Sequence, residues 1–256
     1  MAKKFTILTA SYNCGRYLME LADSVISQTY RPIEAILVDD KSNDNTLKIV
    51  EKISKKYKKA NIEFKFIQPL GKLYCGSSYN LALKNATGKY FGVLDSDDAL
   101  ESFACEFIAD TYERYPEVAW IYTQYNKYNR TMTRILKRGF CHCPPRKETL
   151  LSREKKNINT FSHWRTFSYR LPNRKSIFKK RLRGCVDKYM GFRMEELGIG
   201  MFFDKVCYRY RTRNRGEKPI SYFEPLRRLR VQVIQEAKRR RRVNNIKCFP
   251  IIKCKA

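Results

Sequence analysis

Through the first hundred residues, short apolar runs alternate with longer stretches in which apolar side chains recur at helical spacing. Phe5-Thr6-Ile7-Leu8-Thr9-Ala10 reads as a buried strand, followed by the polar, aromatic-bearing loop Ser11-Tyr12-Asn13. Tyr17, Leu18, Leu21, Val25 and Ile26 then mark one face of a helix over 16–29. A second strand, Ala35-Ile36-Leu37-Val38, runs into Asp39-Asp40, and the polar stretch 42–46 supplies caps for a helix over 45–58. Ile62 to Ile67 makes a third strand, and a helix over about 76–86 leads to a fourth, Tyr90-Phe91-Gly92-Val93-Leu94. Strands alternating with helices predict a parallel, doubly wound α/β sheet.

Such sheets bind ligands beyond the carboxyl ends of their strands. The 9–13 loop, Asp39 and the run Asp95-Ser96-Asp97-Asp98 all fall at such ends. Three carboxylates in four residues repel one another. They mark either a solvated acidic turn or a site for a hard cation such as Mn²⁺ or Mg²⁺, which prefers carboxylate and phosphate oxygens.

Five segments carry a resemblance to a known family. They are Thr9-Ala10-Ser11-Tyr12-Asn13, Ser27-Gln28-Thr29-Tyr30, Val38-Asp39-Asp40-Lys41-Ser42-Asn43-Asp44, Ala86-Thr87-Gly88-Lys89-Tyr90 and Leu94-Asp95-Ser96-Asp97-Asp98. In order and spacing they resemble the family 2 inverting glycosyltransferases, over roughly residues 4–125. The resemblance implies a GT-A fold, a Rossmann-like mixed and mostly parallel sheet flanked by helices, holding a nucleotide-diphospho-sugar across its strand ends. It implies that Tyr12 stacks on the nucleobase beside the Ala10 and Ser11 backbone, and that Asp39 accepts a hydrogen bond from the base. Asp97 would face the ribose and Asp98 would hold Mn²⁺ or Mg²⁺ on the diphosphate, with Asp95 completing the donor set. Tyr12 as a packed aromatic and Asp39 as a helix cap are the plain structural alternatives. Lys72 stands either as a point charge at the donor or as one more exposed lysine.

Inverting transfer also needs a base on the acceptor side. The family's acidic segment and helix are matched by Gly184-Cys185-Val186-Asp187-Lys188-Tyr189-Met190-Gly191-Phe192-Arg193-Met194, which makes Asp187 the general base. The alternative is that Asp187 caps the helix. Asp204 is the runner-up base, and Glu195 and Glu196 read as a solvated helix face. The Tyr-rich segment Tyr208-Arg209-Tyr210-Arg211 follows. Two departures from the family stand out. Val186 replaces the first acid of its usual pair, and Arg213 occupies the place of a His near the metal or diphosphate. An arginine pairs with phosphate but cannot ligate a metal, so the exchange moves phosphate neutralisation toward the protein.

Charge changes the picture of the C-terminal part. The net charge of +28 divides into about +4 over residues 1–100, +10 over 101–204 and +14 over 205–256. In 225–242, Leu226, Leu229, Val233 and Ala237 follow helical spacing among many arginines, with Pro225 suited to a first turn. This basic amphipathic helix suits binding to an anionic membrane surface, packing of its stripe on the domain, or both. Phe249-Pro250-Ile251-Ile252 could add a shallow anchor. The expected organisation is a catalytic domain over 1–221, with a nucleotide-sugar half (1–125) and an acceptor half (126–221), and a basic extension over 222–256.

No apolar run is long enough to span a membrane, and the N-terminus lacks a signal-peptide pattern, so the expected location is cytoplasmic, peripheral on the inner membrane face. Nine scattered cysteines suit reduced thiols. Cys141-His142-Cys143 lacks zinc-finger spacing. Residues 126–165 read as an irregular, Lys- and Arg-rich acceptor loop, at whose end His163-Trp164 offers a sugar platform. The expected substrates are a UDP-sugar and a hydroxyl of a glycan or lipid-linked acceptor, in surface polysaccharide or glycoconjugate synthesis. Two other classes are open: nucleic-acid binding through the basic tail, and a nucleotidyltransferase. The acidic strand ends oppose the first, and the absence of a Gly-rich, Arg-containing loop at 9–13 opposes the second. A degenerate transferase that only binds is a further alternative, given Val186 and Arg213.

Overall fold

The computed structural model describes residues 2–145, 147–156, 158, 160–213 and 223–254. The N-terminal half follows the predicted alternation. It comprises β1 (Phe5–Ser11), α1 (Gly15–Ile26), β2 (Ile33–Asp39), α2 (Thr46–Lys59), β3 (Glu63–Ile67), α3 (Tyr74–Asn85) and β4 (Tyr90–Val93). The short β5 (Ala99–Leu100), α4 (Ala104–Arg114) and the long β6 (Val118–Tyr128) come next. The second half adds β7 (Ile135–Arg138), α5 (Leu150–Lys155), β8 (Arg165–Ser168), α6 (Val186–Leu197), β9 (Ile199–Arg211), α7 (Phe223–Val243) and β10 (Ile251–Cys254).

One mixed sheet runs in the order β10-β9-β6-β8-β4-β1-β2-β3, with β5 on β9 and β7 on β6. The strands β4, β1, β2 and β3 pair in parallel. The antiparallel β8 joins this parallel half to β6. Ser11 and Asp39 are register partners, so the polar ends of β1 and β2 emerge side by side. The β4–β8 junction depends on a glycine. A Cβ on Gly92 would lie 2.3 Å from the indole of Trp164, which is fully buried and stacked on Phe5. A larger residue there would push the indole out of the core.

Several expectations for the second half change. Residues 126–165 hold β7 and α5 rather than a wholly irregular loop. Trp164 cannot serve as a sugar platform, because it is buried and its Nε1 donates to the Val93 carbonyl. The 251–254 segment forms an edge strand, parallel to β9. Glu195 and Glu196 are not solvated. Both are buried, because α7 lies over them and its arginines reach in. Arg240 binds Glu196 through Nε at 2.6 Å, and Arg241 binds Glu195 at 2.8 Å and Glu196 at 3.0 Å. Burial pushes the Glu195 carboxyl up against the pull of Arg241. At Glu196 the opposing effect of burial is outweighed by Arg240, Arg241 and Arg193, which hold the carboxyl below its ordinary value.

The stripe on α7 therefore faces the domain: Val233 and Ala237 are buried, and Leu229 and Ile234 pack on the core. Leu226 lies against Gly184, where a Cβ would meet its Cδ2 at 2.3 Å. The expected boundary at 221/222 lies outside the described residues. Among those residues, no helix is long and apolar enough to cross a membrane.

Candidate donor and acceptor site

The parallel strands deliver their C-terminal residues to one edge. Asp40 N–H donates to the Ser11 carbonyl at 2.8 Å, locking the ends of β1 and β2 together. Tyr12, just beyond β1, is 47 % exposed, and the Lys72 ammonium sits over its ring, 2.8 Å from the centroid. Stacking of a base on Tyr12 thus requires either the opposite ring face or departure of Lys72. Asp39 is fully buried. Its carboxylate accepts from the Ser42 hydroxyl, from Ser42 N–H at 3.2 Å and from Gln68 Nε2 at 3.0 Å. Asp40, which had no expected role, ties the start of α3 to this edge: it accepts from Leu73 N–H at 2.6 Å and Tyr74 N–H at 2.8 Å.

The acidic run after β4 is divided among three environments. Asp95 accepts from Tyr79 Oη at 2.7 Å and from Arg165 at 2.9 Å. Burial opposes its ionisation, but Arg165 and the hydrogen bonds outweigh it and keep the carboxyl below its ordinary value. Asp98 is buried, with one oxygen taking the Arg211 N–H at 2.7 Å and the other the Tyr208 hydroxyl at 2.8 Å. Burial, with Asp97 and Asp95 nearby, pushes its carboxyl well up. Asp97 is part-exposed and pairs with Arg213 Nε at 2.5 Å. Arg213 also donates to Cys14 Sγ at 3.3 Å, and Cys14 Sγ in turn donates to the Tyr12 carbonyl at 3.4 Å. Arg213 therefore bridges the acidic run and the Tyr12 loop. Arg211, two residues earlier at the end of β9, donates to the Asp97 carbonyl at 2.6 Å and to Glu20 at 2.5 Å.

His163 was read in the sequence as half of a sugar platform, but it packs beside the carboxylates. It is buried, stacks on Tyr208 at 4.5 Å between ring centroids, and has no hydrogen-bond partner at Nδ1 among the described residues. Burial, with Arg165 nearby, lowers its pKa to about 3, so the ring is neutral. Ligand atoms of Asp95, Asp98 and His163 lie within 4.8 Å of one another and could hold a metal ion. Ligands on opposite sides of an ion with short metal–oxygen bonds are about 4.2 Å apart, so a small side-chain rotation closes the set. Two carboxylates and a neutral imidazole with a free nitrogen suit a divalent ion. Arg165, already on Asp95, is the charge such an ion would have to share.

On the acceptor side, Asp187 occupies the first turn of α6. The helix N-cap is Cys185, with a left-handed backbone and no side-chain capping bond, so Asp187 is not the cap. Asp187 lies near enough to Arg165, His163 and Cys75 for its charge to act on all three. Asp204, the alternative, is exposed and paired with Arg138 at 2.7 Å. Cys141 and Cys143 point to the separate carbonyls of His163 and Ile251, and His142 Nε2 meets Arg153.

The sequence matches the family model Glycosyl transferase family 2 over residues 6–182. The chain belongs to that family. Among its family 2 relatives, it is 28 % identical over 241 residues to a chondroitin synthase of Pasteurella multocida, covering 94 % of this chain and 24 % of that protein. Against a hyaluronan synthase of Pasteurella multocida the identity is 29 % over 204 residues, covering 79 % and 20 %. The chain thus spans about a quarter or less of the length of these synthases. The fold is also that of solved glycosyltransferases. S. aureus TarS 1–349 in complex with UDP-GlcNAc superposes with a TM-score of 0.65 at 22 % identity, over 93 % of this chain and 72 % of that one. The mannosyltransferase PcManGT of Pyrobaculum calidifontis, in complex with GDP-Man and Mn²⁺, gives 0.65 at 17 % identity, over 97 % and 66 %.

Proposed function

We propose that the chain is an inverting glycosyltransferase that moves a sugar from a nucleotide-diphospho-sugar, with UDP the preferred nucleotide, to a hydroxyl of a glycan or lipid-linked acceptor. The observation that carries this reading is the juxtaposition of Tyr12, Asp39, Asp97 and Arg213 at one sheet edge, with Asp187, at the start of α6, acting on Arg165, the partner of the neighbouring Asp95. The nucleobase stacks on Tyr12 beside the Ala10 and Ser11 backbone. Asp39 receives a base N–H in exchange for Gln68. Lys72 and Arg213 flank the diphosphate, and Asp97 lies toward the ribose. Asp187 takes the proton of the acceptor hydroxyl as its oxygen bonds to the anomeric carbon. The bond from that carbon to the diphosphate oxygen breaks on the opposite face, and the nucleoside diphosphate leaves with the electron pair. The Mn²⁺ or Mg²⁺ expected from the sequence would be held by Asp95, Asp98 and His163, adding positive charge on the leaving-group side.

Similarity to proteins named as chondroitin and hyaluronan synthases supports a role in polysaccharide synthesis. For an anionic bilayer at the cytoplasmic face, the contact would come from the outward residues of α7, such as Arg227 and Arg239, beside exposed Val231 and Val243. Each basic residue adds about 1 kcal/mol at such a surface. The function is tested by incubating the protein with UDP-, GDP- and dTDP-sugars and following release of the nucleoside diphosphate. Release from one nucleotide class, lost on Tyr12→Ala, supports the reading; no release from any, with or without oligosaccharide acceptors, rejects it.

A further inference from the structure

The acidic run carries its own counter-charges. Asp95 is met by Arg165 at 2.9 Å and Asp97 by Arg213 at 2.5 Å, while both Asp98 oxygens are occupied by donors from β9. The two arginines differ in what they face. Arg165 is buried against Asp95, with His163 and Tyr208, also buried, near enough to feel its charge. Arg213 is part-exposed and spans the gap between Asp97 and Cys14, along the line from the acidic run to the Tyr12 loop.

We propose that Arg213, held in place by Asp97, is the cation that receives the donor diphosphate, so that nucleoside diphosphate binds this chain without a divalent ion. The inference rests on the donor-site reading given above. A diphosphate running from a base on Tyr12 toward Asp97 passes the guanidinium. Only the Nε of Arg213 is on Asp97, and its NH2 group points to a thiol, a weak acceptor that phosphate oxygens would displace. A guanidinium supplies two directed N–H donors to phosphate and needs no coordination shell. Of the candidate ion ligands, Asp98 and His163 are buried and Asp95 is part-exposed and held by Arg165, and none of them contacts Arg213, so an ion there is an addition to Arg213 and not a substitute for it.

The test is calorimetric titration of the full chain with UDP and with GDP, in EDTA and in Mn²⁺, alongside uridine and guanosine. Binding of one nucleoside diphosphate in EDTA, within about threefold of its affinity in Mn²⁺, is the expected result. Arg213→Ala should weaken that binding tenfold or more and leave nucleoside binding unchanged, while Arg213→Lys keeps a measurable part of it. Arg213→His, which sets an imidazole beside the Asp97 carboxylate, should bind only when Mn²⁺ is present, with the free-ion electron paramagnetic resonance signal falling as the complex forms. Wild-type binding that appears only with Mn²⁺ overturns the inference and leaves the donor reading standing. Failure of both nucleotides in both buffers removes the donor reading, and this inference with it.

Discussion

Replacing Arg241 with methionine tests whether the basic C-terminal helix is part of the folded domain. The guanidinium is mostly buried and binds Glu195 at 2.8 Å, Glu196 at 3.0 Å and the Phe192 carbonyl at 3.3 Å. Without it, Glu196 keeps Arg193 and Arg240, each at 2.6 Å. Glu195 keeps only the Leu150 N–H, also at 2.6 Å. A buried carboxylate stripped of its partner costs about 3–5 kcal/mol, against a total stability of about 5–15 kcal/mol for a domain. Burial already raises the Glu195 carboxyl, and loss of Arg241 raises it further. A group raised in the folded state contributes stability that is present below its unfolded value and is lost as pH rises through the folded one. The deficit of the variant should therefore be small near pH 5 and full near pH 8. Urea unfolding followed by tryptophan fluorescence at both pH values measures it. A deficit below about 1 kcal/mol at pH 8, the range of an exposed pair, or one that does not change with pH, would refute the buried clamp.

Three further outcomes follow from the same geometry. Asp187→Asn should retain donor binding and lose transfer by about 10²–10⁴-fold, as removal of a general base predicts; near-normal turnover would take Asp187 out of the mechanism. Gly92→Ala should cost about 1–3 kcal/mol in urea unfolding, because its Cβ meets the buried Trp164 indole; an unchanged midpoint would mean that the indole has room to move. Glu34 is buried and bonded to Thr6, Thr87 and Lys65, which together outweigh the effect of burial and lower its carboxyl. Its contribution is present above the ordinary carboxylate value and lost as pH falls through the lowered one, so Glu34→Gln should flatten the acid limb of the stability curve.

The first half of the fold was legible because each strand is a short apolar run and each helix repeats its apolar positions near every fourth residue. The acids at the ends of β2 and β4 then pointed to the sheet edge where the structure gathers them. What surrounds those acids was not legible, because the partners arrive from far along the chain. Arg165 is 70 residues from Asp95, Tyr208 is 110 from Asp98, and Arg213 is 116 from Asp97. No local pattern reports such pairings. His163 carried no signal of its own beyond a neighbouring Arg165. Glu195 and Glu196 were misread for a related reason. Adjacent carboxylates on a helix look solvated until a second helix with arginines at matching spacing lies over them. The stripe on α7 was visible, but nothing local distinguished a domain face from a bilayer as its partner. The structure answers by setting Leu226 on Gly184 and Arg240 and Arg241 on the far end of α6, so α7 braces the helix that carries Asp187.

The edge formed by Tyr12, Asp39 and Asp97 is proposed as a nucleotide-diphospho-sugar site. The most direct measurement is a thermal-shift panel of UDP, GDP, dTDP, CMP and ATP on the wild-type chain and on Tyr12→Ala. Such a site gives a stabilising shift for one nucleoside diphosphate class, abolished in the variant. A shift that survives Tyr12→Ala, or no shift for any nucleotide alongside tight, salt-sensitive binding to RNA or DNA, would contradict it.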